Sequence, residues 1–103
     1  MATRASIEMD FQRAIGQANK LESIASRLDG LANNRLKSSM QTLAMGWKSE
    51  SAVLYMDKGE KLKTKINMSA SDLRVCADDI RKEAKRIYDA EMAALELAAN
   101  RVY

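Results

Sequence analysis

The stretch Met45-Gly46-Trp47-Lys48-Ser49-Glu50-Ser51-Ala52-Val53-Leu54-Tyr55 lies at the middle of the 103-residue chain and holds its single Trp. Long helical patterns run into it and away from it. Gly46 follows an apolar run and is placed to take the positive φ that ends a helix. Ser49 and Ser51 can each cap a following helix by accepting a hydrogen bond from a free backbone N–H. The chain is therefore expected to turn back on itself here.

Upstream, one apolar seam runs through Ile7, Phe11, Ala14, Ala18, Leu21, Ala25, Leu28, Ala32, Leu36, Met40 and Leu43. Its steps are three or four residues throughout, as an amphipathic helix packed along one side requires. Ala32 to Leu36 to Met40 inserts a four where a heptad expects a three, which relaxes the local supercoil. Asn33-Asn34 is the weakest point of this pattern. Ser6 is a candidate N-cap, with residues 1–5 loose. Downstream, a second seam reads Ala52, Tyr55, Gly59, Leu62, Ile66, Ser69, Leu73, Cys76, Ile80, Ala84, Ile87, Ala90, Ala94 and Leu97. Gly59 and Ser69 are small positions where two helices can approach.

The pattern predicts an all-α, antiparallel two-helix hairpin forming a single domain over residues 1–103. A helix is expected over about 6–44, a turn over about 45–50 and a second helix over about 51–99. Helices of that length would reach about 60 and 73 Å at about 1.5 Å per residue. Such a hairpin has no third layer, so its core is thin, and a partner that covers a second face is expected.

Composition fits this reading. There is no Pro, Gly occurs four times, and aromatic residues are 5%, which favours helix over strand. The net charge is +3, and both signs are spread through both halves. That argues against a concentrated nucleic-acid or anionic-membrane surface. Cys76 is the lone cysteine and His is absent, so no internal disulfide is expected and the commonest metal ligand and general base are missing. No apolar core of signal-peptide length opens the chain, and no run is long enough to span a bilayer. The expected location is the cytoplasm or, by a route without a cleaved signal, the outside.

Trp47-Lys48-Ser49, followed by Ser51-Ala52 and Tyr55, resembles the central turn of the WXG family of small type VII (ESX) secretion proteins. That family carries Trp-x-Gly between two helices, then small residues and an aromatic. Ser49 stands where the family has Gly, so a capping side chain replaces a flexible backbone. The likeness extends to chain length, two helices and central turn. It implies a helical hairpin that pairs into a four-helix bundle. It also implies a secretion signal of the form Tyr-x-x-x-Asp/Glu late in the second helix. Here the chain reads Ile87-Tyr88-Asp89-Ala90-Glu91-Met92. The fourth residue after Tyr88 is Met92, and the nearest acid on the same helical face is Glu91.

The candidate sites follow. Trp47, Ser49 and Tyr55 form the turn motif. Ile87, Tyr88 and Glu91 form the secretion-signal candidate. Ile24 and Leu31 in the first helix, with Met68 and Val75 in the second, are apolar, lie outside the seams and fall at matched heights, which makes them the partner-interface candidate. Cys76 reads as a small apolar seam residue. Lys58, Lys61 and Lys65, and also Lys82, Lys85 and Arg86, read as solvated faces with no aromatic platform for bases. No catalytic, cofactor-binding or metal site is expected, and no enzyme activity.

The expected function is non-enzymatic: a small type VII substrate, or an accessory that binds a larger effector for export. The expected partners are a second copy, a related helical protein or an effector's helical domain, and the secretion ATPase. No nucleic acid and no stable membrane insertion are expected. The alternatives are a self-assembling, needle-like hairpin subunit and a cytoplasmic helical module that binds nucleic acid.

Overall fold

The computed structural model describes residues 2–101. They form α1 (Arg4–Gly30), a π-helical segment (Leu31–Leu36), α2 (Lys37–Gly46) and α3 (Glu50–Asn100). Among the described residues there is no strand.

The start of α1 is set by two side chains. The Thr3 N–H donates to Ser6 Oγ at 2.9 Å, and the Ser6 N–H donates to Thr3 Oγ1 at 3.1 Å. This is a reciprocal cap of the capping-box kind, in which each hydroxyl satisfies a free donor of the first turn. Thr3 is thus the cap and Ser6 its partner. The helix begins at Arg4, ahead of the start expected at Ser6.

The π-helical segment coincides with the four-residue steps Ala32–Leu36–Met40. Gly30 and Lys37 on either side keep right-handed helical backbone angles, so the helix passes through without a break. A wider turn absorbs the residue by which these steps exceed a heptad. Leu36 and Met40 are consequently half-buried. Periodicity located the irregularity; its form is a π segment, not an interruption.

The turn differs from the expected mechanism. No residue among those described has positive φ, so Gly46 does not act as a left-handed cap. Instead α2 ends because Trp47 adopts extended backbone at φ −131° and ψ 110°, with its N–H donating to the Leu43 carbonyl at 3.0 Å. Ser49 then starts α3. Its Oγ accepts the Ala52 N–H at 3.3 Å and its carbonyl accepts the Val53 N–H at 3.2 Å. Ser51 lies inside the helix.

The described residues fall into two compact units. One is drawn from Met1–Leu21 and Val75–Tyr103, the other is Glu22–Arg74. In the first, the beginning of α1 packs against the later part of α3. The Tyr88 hydroxyl donates to Glu8 Oε1 at 2.8 Å, and Arg81 Nη2 donates to Asn19 Oδ1 at 2.8 Å. In the second, Arg74 pairs with Asp29, and Asn67 Nδ2 donates to Asn33 Oδ1 at 3.2 Å. A Cβ added to Gly59 would meet Met40 Sδ at 2.6 Å, so the bare glycine lets Met40 lie against α3. In each unit, rising numbers on one segment meet falling numbers on the other, so the segments are antiparallel. Phe11 and Ile87 line one cavity of the first unit. Leu28 and Leu73 adjoin the Asp29–Arg74 pair of the second.

The core consists almost wholly of alanine. Ala18, Ala25 and Ala32 on the first side, and Ala70, Ala77 and Ala84 on α3, are buried, five of them at 0% exposure; Ile7 and Ala52 are the other buried residues among those described. Each alanine set repeats every seven residues. A methyl reaches full burial on a two-helix interface only where the opposing backbone closes over it, so small residues set the contact. This corrects the second seam. Ser69 and Cys76 are exposed, and Ala70 and Ala77, one position later, are buried. Tyr55, Leu62, Ile87 and Leu97 are exposed for the same reason. Cys76 is therefore not a packed apolar residue; its thiol is free and exposed.

Two glycines weaken α1 without serving its packing. A Cβ at Gly16 or Gly30 meets nothing within 4 Å, and both sit in helical backbone. Gly16→Ala and Gly30→Ala are each expected to stabilise the chain by about 0.5–1 kcal/mol, chiefly by reducing unfolded-state entropy. Urea denaturation measures this. A loss of stability in both variants would contradict the helical environment described.

Candidate functional site

Three places stand out, the first two each within one unit. The first is the turn. The Trp47 ring meets the Tyr55 ring with centroids 5.3 Å apart and planes at 46°, a tilted contact favoured by the ring quadrupoles. Trp47 is half-buried and Tyr55 is exposed. Ser49 between them fixes where α3 begins, and thereby which side of α3 Tyr55 occupies. The structure thus brings all three turn-motif residues together. Beside them, Leu36, Met40, Leu43, Tyr55, Gly59 and Leu62 line an apolar groove of about 340 Å³, with Lys58 at its edge.

The second place surrounds Tyr88. Its ring lies on Phe11, centroids 4.9 Å apart, and its hydroxyl is held by Glu8. Phe11, Ala14, Ile87, Tyr88 and Glu91 line a hollow of about 200 Å³. Tyr88 and Glu91 are half-buried, while Ile87 is 45% exposed. The pair therefore sits partly against α1 and is not a freely presented motif. The Glu8 bond has no local signal, because it joins residues eighty positions apart.

The hydrogen bond to Glu8 raises the Tyr88 phenol above its ordinary range, with burial and the Glu8 charge adding to the effect. The neutral phenol is the form that can donate to a carboxylate. A group whose folded pKa lies above its unfolded value contributes stability below the unfolded pKa. That contribution disappears as pH rises through the folded pKa. Wild-type chain is therefore expected to lose stability relative to Tyr88→Phe as pH climbs past about 10. Denaturant midpoints of the two chains across alkaline pH measure it; parallel curves would contradict the bond.

The third place is the expected partner surface. Ile24 and Leu31 are each 44% exposed, Met68 62% and Val75 58%. Val75 belongs to the other unit from the remaining three. In the second unit, Leu31 precedes buried Ala32 and Met68 precedes buried Ala70 by two residues. At about 100° per residue, Leu31 leaves the flank of its helix whereas Met68 points from the back of α3. The corrected register of α3 is what moves Met68 there.

Each basic spot is partly neutralised on its own helix. Lys61 pairs with Asp57, Lys85 with Asp89 and Arg86 with Glu83. The described residues contain no group of three or more His, Cys, Asp or Glu placed to hold a metal ion. Among them, no helix is long and apolar enough to cross a membrane.

No family model, curated protein or solved structure matches the chain.

Proposed function

We propose that the chain is a non-enzymatic helical binding protein of a bacterial type VII secretion system. It acts as a small exported substrate or as an accessory that binds a larger effector for export, and its helices pair with a partner's into a bundle. The observation that carries this reading is the turn: Trp47 against Tyr55, with Ser49 capping the next helix in the place where the WXG family has glycine. The alanine core supports the binding role. Alanine buries little apolar area per residue, and the large apolar side chains stay at the surface, with Leu43, Met45, Val53, Leu54, Tyr55 and Leu62 all more than 40% exposed. Exposed apolar area of this extent marks interaction surfaces in stable proteins.

The test is export in a bacterial host that carries the secretion system. The chain, or an effector bound to it, is expected in the culture medium of the intact strain and absent from that of a strain lacking the secretion ATPase. Equal amounts in both media would overturn the reading.

A further inference from the structure

We propose that the second unit docks an amphipathic helix with acidic flanks, along the face opposite its polar cross-links. The face follows from what surrounds each buried alanine. On α3, the residues three before and four after Ala70 are Asn67 and Arg74, and both bond across to the first segment. Those four before and three after are Ile66 and Leu73, both half-buried. On α1, Asp29 stands on the polar flank of Ala25 and Ala32, and Leu28 on the other. At about 100° per residue these positions fall on opposite sides of the alanine contact. One side of the unit is thus closed by an ion pair and an amide bond. The other carries Leu28, Ile66 and Leu73, widened by the exposed Ile24, Leu31 and Leu62.

The charge at its edges selects the occupant. Arg35 lies along the α1 edge, and Lys58 and Lys65 along the α3 edge, whereas Arg27, two residues from Ala25, points from the back of α1. None of the three edge cations makes an ion pair with another described residue, and all three are exposed. Asp72 is the acidic exception on that edge. A second copy docked through the same face would bring these cations together, whereas glutamates flanking a partner's apolar stripe would meet them. Interfaces arranged this way gain specificity and association rate from charge complementarity.

The docking face rests on the binding role proposed above. Its test is a titration of the purified full chain and needs no secretion machinery, so a failed titration and a failed export assay are separate results. The probes are two synthetic helices with leucine at the heptad a and d positions, one flanked by glutamate at e and g, the other by lysine. The glutamate probe is expected to bind at least about ten-fold more tightly at low salt, with the preference shrinking as salt screens the charges. Leu31→Asp should weaken its binding roughly ten- to a hundred-fold, and Met68→Asp, on the back of α3, should leave it unchanged. Arg35→Glu with Lys65→Glu alters exposed side chains only and should reverse the preference; circular dichroism checks that each variant stays helical. Equal binding of both probes, binding of neither, or a dimer of the chain alone that Leu31→Asp splits would overturn the proposal.

Discussion

Ala70→Leu is expected to destabilise the chain by about 1–3 kcal/mol, while Ser69→Leu next to it changes stability by no more than about 0.5 kcal/mol. Ala70 is at 0% exposure, in a contact where alanines come from both helices. A leucine there adds three carbons to a site closed by the opposing backbone, so the helices must separate or the side chain must leave its preferred rotamers. Separation would also pull on the Asn33–Asn67 bond and the Asp29–Arg74 pair in the same unit. Ser69 faces solvent, and leucine there also has the better helix propensity. For a domain of this size each kcal/mol corresponds to roughly 4–8 °C in Tm, so thermal unfolding separates the two variants. If Ser69→Leu proves the more damaging, the seam lies where simple periodicity first put it, and the alanine core is wrong.

Replacing Tyr88 and Glu91 together by alanine is expected to abolish export while leaving the chain helical. The expectation belongs to the secretion role proposed above, since the pair lies where the WXG family keeps its signal. The structure sharpens how the experiment must be run. Tyr88 also packs on Phe11 and donates to Glu8, so Tyr88→Ala removes a cross-helix contact as well as an exposed ring edge. Tyr88→Phe keeps the ring and loses only the hydrogen bond; Glu91→Gln keeps the size and loses only the charge. A recognition role predicts that Tyr88→Phe is exported and that Glu91→Gln is impaired. A purely structural role predicts that export follows stability across all the variants. Undiminished export of the double alanine variant refutes the signal.

The turn was legible in the sequence because its determinants are local. Ser49 caps α3 through a bond that spans three residues, and Trp47 and Tyr55 are eight positions apart. The π segment was legible as an irregular spacing, since Ala32, Leu36 and Met40 depart from the heptad on paper. Cys76 lies on a seam by periodicity yet outside the core, because the α3 sequence offers two apolar stripes. One, through Ile66, Leu73, Ile80 and Ile87, carries the larger side chains and drew the seam toward itself. The other, Ala70, Ala77 and Ala84, is strictly seven-spaced and matches Ala18, Ala25 and Ala32. That second spacing is the sequence signal for the buried stripe, and the larger side chains of the first stripe mask it.

By itself the sequence determined the helices, their ends to within a few residues and the place of the turn. These follow from propensity, capping and a period of three to four, all of which act over one or two turns of backbone. Only the tertiary structure decided which stripe of α3 lies inside. The choice depends on how closely two helices approach, and alanine on both sides makes the closest contact the one that excludes larger residues. The same choice placed Asn67 and Arg74 on the flank where Asn33 and Asp29 meet them. It also left Ile66 and Leu73 on the opposite flank. The polar and apolar flanks of the second unit, and with them the candidate docking face, are a consequence of packing that no local rule could supply.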